Sequence, residues 1–363
     1  MNTSLLFEVA STLCVQTAIV VAVCVGLQRW VGNVRSASRL WTCCFVSIIA
    51  MIAAGVLLPH RRLFHFPDLG PREVTVAFVT WQGRLAIGLL TVWAIGAALS
   101  LARKAILCGQ LVRFLNHRCE SIDQEELLAR LQLPSNPHLC VLTSSDIQGP
   151  FCWQLHRPTI VIPETLMSED DTTLRHVLLH EIEHLRTQHP MQHFLQGVCS
   201  TVFWFHPAVW IAARDAELTR EFLCDEVAAT ACGKFGAYLR TLAKVSERCG
   251  SASCTNVPRG TLAFGNRKST LVKRCDRLVE LAQKPRKAKS RRPILATICL
   301  VVVVALVQQV WLPTNVMASN RSDWSPWPSW TARALHNAFD VHVRDFEAFE
   351  NRVHVHEWMS DSD

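Results

Sequence analysis

Five consecutive residues, His180-Glu181-Ile182-Glu183-His184, have the types and the spacing to do chemistry. Residues four apart lie on one face of a helix, so His180 and His184 can both direct an imidazole nitrogen at a single zinc ion. Glu181, one position round the turn, is poorly placed to be a third ligand. It can reach a water held at the metal, which makes it a general base. The chemistry this points to is hydrolysis of a peptide bond. A helix with two surface histidines would show the same spacing, and a third ligand separates the two readings.

The candidate third ligand lies downstream, in Thr219-Arg220-Glu221-Phe222-Leu223-Cys224-Asp225, where Asp215, Leu218, Phe222 and Val227 fit helical spacing. Glu221 would complete a His–His–Glu set with one position left for water. Asp225 is one turn further on the same face, placed to accept the second ring N–H of a ligand histidine and so orient it. Without the histidine pair, two acids on a helix would read as a solvated face.

The elements that must hold these residues can be read coarsely. The stretch 103–133 has a helical pattern and is followed by a break at Pro134–Pro137. Two short β-prone runs, 139–143 and 159–162, suggest a small sheet. From Ser168 the pattern turns helical, with Ser168, Asp170 or Asp171 as N-cap oxygens and Leu174, Val177, Leu178 and Leu185 on the apolar face. Pro207 is expected to open the helix that carries Glu221.

Around this segment the chain is lipid-like. Half of its 363 residues are hydrophobic and the mean hydropathy is positive, which argues against an ordinary soluble enzyme. Four runs are long enough to cross a bilayer, at about 5–27, 40–58, 85–101 and 293–312. The expected organisation is a three-helix membrane anchor over 1–102, a cytosolic metallopeptidase domain over 103–292, a fourth span and a short extracytoplasmic tail over 313–363. Orientation follows from the cations: Arg29, Arg35 and Arg39 lie between the first two spans, and Lys284, Arg286, Lys287, Lys289, Arg291 and Arg292 directly precede the last. Both groups should face the cytosol, which places the chain in the cell inner (cytoplasmic) membrane. The same run accounts for most of the net charge of +7, so anionic lipid is the expected partner and direct nucleic-acid binding is not. Fifteen cysteines, several inside apolar spans and none in a CxxC pair, read as buried thiols and not as a disulfide framework.

Four stretches together resemble the BlaR/MecR family of membrane metallopeptidases: IQGPFCWQLHRPTIVIPETL (147–166), LRHVLLHEIEHLRTQHP (174–190), FWFHPAVWIAARDAELTREFLCDEVA (203–228) and, more loosely, RKSTLVKRCDRLVEL (267–281). The resemblance implies a gluzincin-type α+β domain inserted in an α-helical membrane protein. It also implies zinc on His180, His184 and Glu221, catalysis by Glu181, and cleavage of a cytosolic protein, in the antibiotic sensors a DNA-binding repressor and the protease itself. Two departures stand out. Trp153 and Gln154 occupy positions where the family usually has a glycine after the Gly-Pro turn, and His189 stands where an acid commonly follows the motif helix. On a continuing helix, His189 would be rotated away from the face shared by His180 and His184. No SxxK motif follows the last span, so β-lactam sensing is not expected.

Other residues invite a functional reading and a bland one. The tail tryptophans and histidines (Trp324, Trp327, Trp330, Trp358, His336, His342, His354, His356) could sense a metal or lipid, or simply rest at the interface. Arg84 suits a side chain snorkelling from a helix end, and Phe203–Ile211 is apolar enough to lie on or dip into the inner membrane face. His206 and Tyr238 could each steady an oxyanion, but both read better as packing. A broad quality-control protease of HtpX type and a non-catalytic zinc receptor are the alternative functions; an intact Glu181 argues against the second.

Overall fold

The computed structural model describes residues 3–58, 69–154, 157–233, 235–251, 262–263, 268–283, 292–309, 311–312, 314 and 337–338. The chain opens with two apolar helices, α1 (Thr3–Val31) and α2 (Val34–Leu57), joined at Gly32, whose positive φ of 64° lets the chain reverse. The Asn33 side chain caps α2 by accepting from the Arg35 N–H. The third helix, α3 (Arg72–His117), is 46 residues long. All three are long and apolar enough to cross a membrane.

α3 departs from the sequence expectation in an instructive way. The span expected at 85–101 lies in its middle, and the helix runs unbroken through Arg103 and Lys104, where a domain boundary was expected. Helical hydrogen bonding is indifferent to the change from apolar to charged side chains. The helical stretch expected over 103–133 is instead divided by the end of α3, a two-residue strand β1 (Glu120–Ser121) and the short α4 (Gln124–Arg130), capped by Asp123.

A five-stranded mixed sheet follows, built from β1, β2 (Cys140–Ser144), β3 (Phe151–Gln154), β4 (Pro158–Pro163) and, later in the chain, β5 (Leu262–Ala263), in the order β1-β2-β4-β3-β5. β2 and β4 run parallel; the other pairs are antiparallel. The two expected β runs are β2 and β4. After the one-turn α5 (Glu164–Met167), Asp170 caps α6 (Asp171–Arg186), its carboxylate accepting from the Thr173 N–H at 3.0 Å. α6 stops at Thr187, Gln188 takes a left-handed φ of 56°, and α7 (His189–Val202) starts at once. A four-residue turn leads to Pro207, which opens α8 (Pro207–Ala231).

The remaining helices are α9 (Phe235–Ser251), α10 (Lys268–Gln283) and α11 (Arg292–Val307). One core joins α4, the sheet, α6, α8, α9 and α10, with Val141, Ile160, Ile162, Leu174, Leu178 and Leu242 almost wholly buried. A second joins α1, α2, α7, α8 and α11 around Trp41, Phe45, Ile48 and Trp311. In that bundle Gln16 donates to the Val307 carbonyl at 2.9 Å, tying α11 to α1. α11 is a shorter apolar helix than the other three. The cysteines whose side chains are described are free thiols. Arg61, Arg62, Asp68, the basic run up to Arg291 and the tail tryptophans and histidines lie outside the described residues.

Candidate active site

α6 and α8 pack directly on one another, and their contact face carries the chemistry-bearing residues. His180, Glu181 and His184 of α6 and Glu221 and Asp225 of α8 are all buried. The Nε2 atoms of His180 and His184 stand 3.1 Å apart. Glu221 places Oε2 3.6 Å from His180 Nε2 and Oε1 3.5 Å from His184 Nε2.

These distances suit one metal ion. A tetrahedral centre with bonds of about 2.0–2.1 Å sets its ligand atoms roughly 3.4 Å apart. The three donors lie within 4.8 Å of one another, and their separations of 3.1, 3.5 and 3.6 Å bracket that spacing. Beside them Glu181 keeps Oε2 buried with no hydrogen-bond partner among the described residues. Burial pushes its carboxyl up to about 7, with Glu221 reinforcing the rise and His180 and the Cys152 thiol of β3 opposing it.

Behind the donors Asp225 stands where the sequence placed it, within a charged network whose other members, Tyr238 and Arg274, the sequence did not reveal. Asp225 Oδ1 lies 3.1 Å from His180 Nδ1 and also accepts the Tyr238 hydroxyl proton at 2.7 Å. Arg274, from α10, is buried and donates to both Asp225 oxygens at 2.7 Å, and sits 3.0 Å from Glu221. Burial alone would raise both carboxyls, but Arg274 and His180 outweigh it, holding Glu221 at about 2 and Asp225 below its ordinary range. Burial would likewise depress His180, yet Asp225 and Glu221 lift it to about 9. Burial takes His184 down to about 3, with Glu221 opposing and His180 reinforcing the fall.

The break at Gln188 changes the place of His189. Because α6 ends there, the chain folds back and sets His189 Nδ1 3.0 Å from His184 Nδ1, with the Cys224 thiol at 3.5 Å from the same nitrogen. The expectation that His189 rotates away assumed one continuous helix; His189 is fully buried against the rear of His184. Tyr238 likewise does more than pack, since its hydroxyl lies 3.0 Å from His180 Nδ1. His206 is elsewhere, its Nε2 3.0 Å from the Cys14 carbonyl in the helix bundle, and Arg84 is exposed on α3.

The protein thus combines a bundle of apolar helices long enough to cross a membrane, a small mixed sheet and a buried His–His–Glu cluster that could hold a metal ion. The family model for the BlaR1 peptidase M56 matches residues 4–274, and the chain belongs to that family of metallopeptidases. Among characterised relatives it is similar to the regulatory protein BlaR1 of Bacillus licheniformis, at 24% identity over 140 residues, which are 37% of this chain and 23% of that protein. It is also similar to the methicillin resistance mecR1 protein of Staphylococcus aureus, at 26% identity over 141 residues, 38% of this chain and 24% of that protein. The matched stretch thus spans about a quarter of these relatives' length.

Proposed function

We propose that this chain is a zinc-dependent endopeptidase of gluzincin type, anchored by four membrane spans with its catalytic domain in the cytosol. In this reading His180 Nε2, His184 Nε2 and the Glu221 carboxylate hold the zinc, and Glu181 is the catalytic base. The observation that carries it is the convergence of those three donors at tetrahedral spacing beside a buried carboxylate oxygen that has no hydrogen-bond partner among the described residues.

When bound, zinc supplies a Lewis acid that polarises the scissile carbonyl and lowers the pKa of water towards about 7. The chain does the rest. Asp225 accepts the Nδ1 proton of His180 and fixes its ring with Nε2 turned to the donor cluster. His189 Nδ1 accepts the corresponding proton of His184, replacing with a neutral imidazole the acid found there in the family. Arg274 compensates the two acids, so that a dication and a substrate carbonyl meet a site close to neutral. Glu181 takes a proton from the attacking water as the C–O bond forms and returns it to the amine nitrogen as the C–N bond breaks. A carboxyl near 7 is matched to both halves of that transfer.

The substrate is a cytosolic protein, and a transcriptional repressor is the reading the sensor relatives favour; the chain itself is a second target. The test is to purify the full chain and Glu181→Ala in detergent, quantify zinc, and compare cleavage of the chain and of cytosolic proteins from the same cell. One zinc in each with cleavage only by the unsubstituted chain is expected. Zinc in both with cleavage by neither would move the zinc-receptor reading ahead, and cleavage of many unrelated proteins would favour a quality-control protease.

A further inference from the structure

The segment from Met191 to Ile211, most of α7 and the start of α8, is unlike the rest of the catalytic domain in what it exposes. Every exposed residue in it is apolar, with Phe194 at 61%, Trp210 at 56% and Ile211 at 53%; the next exposed charge is Arg214. Soluble monomers rarely gather so many exposed apolar side chains without an exposed polar one among them.

The contacts of its turn say how deep it sits. The Trp204 ring lies on the backbone of α3 at Gly96, where a Cβ would come within 2.2 Å of the indole, so only glycine admits it. Trp93 Nε1 donates to the Val202 carbonyl at 2.8 Å, and His206 Nε2 lies 3.0 Å from the Cys14 carbonyl of α1. Residues 93–96 fall at the centre of the apolar stretch 85–101, and Cys14 near the centre of 5–27. Two membrane helices therefore report the same depth independently.

The backbone of the turn is satisfied as hydrocarbon demands. Trp93 covers the Val202 carbonyl, Trp204 Nε1 donates to the Trp93 carbonyl at 3.3 Å, and Trp210 Nε1 to the Trp204 carbonyl at 3.0 Å. Lys104 reaches from α3 to the Gly197 carbonyl and the Thr201 hydroxyl. Non-helical backbone survives at membrane depth only when its polar groups are paired within the protein, and indole N–H groups do that here while keeping their rings apolar.

We propose that α7 and the first turns of α8 form a re-entrant hairpin inserted into the bilayer to about its midplane, its exposed face covered by lipid acyl chains. The proposal rests on the reading of α1, α2 and α3 as membrane-crossing. Length agrees: the 14 residues of α7 rise about 21 Å, more than half of a hydrocarbon core of about 30 Å. His189 opens α7, so the donor cluster stands at the base of the hairpin, level with the bilayer surface. The segment cleaved is therefore one held against the membrane, in a tethered substrate or in this chain.

The test is to reconstitute the full chain in vesicles containing a phospholipid with a diazirine at the acyl-chain end, irradiate, and locate adducts by mass spectrometry. Adducts on Phe194, Trp210 and Ile211, at yields comparable to those on Ile95 and Leu99 of α3, are expected. Adducts on α3 with none between 191 and 211 would overturn the hairpin. Adducts on neither would overturn the membrane reading beneath it.

Discussion

In the metal-free protein His180 carries a proton at neutral pH, because two buried carboxylates face it. Zinc held on this ring, as proposed, would have to displace that proton. Apparent zinc affinity should therefore rise about tenfold per pH unit while pH stays below about 9, from this group alone. Competition titrations with a chelating dye at three pH values measure the slope; a flat response would remove His180 from the donor set. Arg274 can be tested at the same scale. Arg274→Met leaves the buried Asp225 and Glu221 with His180 as their one cationic partner among the described residues, and should destabilise the metal-free protein by about 3 kcal/mol. Thermal unfolding with and without zinc reads this out, and added zinc should recover part of the loss by supplying positive charge at Glu221. The sequence made His180, Glu181 and His184 legible because a four-residue spacing is local geometry, and Glu221 and Asp225 legible as a pair once a third donor was sought. Arg274 meets Asp225 across 49 residues, and nothing in a basic helix singles out one arginine among several.

Helix boundaries matter to the site as much as its ligands do. β2, β4, the Asp170 cap and the Pro207 start were legible from alternation, capping residues and proline chemistry. The corner at Gln188 was not, since a left-handed glutamine leaves no compositional mark, and the misjudged position of His189 follows from it. Nor was the length of α3, because Arg103 and Lys104 mark the end of an apolar run and not the end of the helix, which continues to His117. The packing of α3 on the α7–α8 turn makes an element-scale prediction. Gly96→Leu would drive a branched side chain into the Trp204 ring and should expel the turn, whereas Gly88→Leu, with open space around its Cβ, should be tolerated. Limited proteolysis between α7 and α8 in detergent should quicken for the first variant only; equal protection in both would show that the turn is not seated at Gly96.

Across the whole molecule, the three donors come from two helices that the chain joins only through α7 and its turn, so a shared ion would act as a cross-link between α6 and α8. Chelation should lower the melting temperature, and free zinc at a thousand times its dissociation constant should add about 4 kcal/mol of stability. A melting temperature indifferent to zinc would mean the ion, if bound, does not distinguish folded from unfolded chain. The same scale gives α3 a mechanical character. Its 46 residues make one rod of about 69 Å, roughly twice the thickness of a hydrocarbon core. In the membrane reading proposed above the apolar half lies in lipid, while the far end packs through Leu111 and Phe114 on Phe151 of the sheet. A rod held this way is a lever. Tilting by about 10° to match a thinner bilayer swings the 16 residues beyond Leu101 through about 4 Å at their tip. Phe151 is followed in β3 by Cys152, whose thiol bears on the Glu181 carboxyl, so in the proposed arrangement a change of bilayer thickness would be felt one residue from the proposed base.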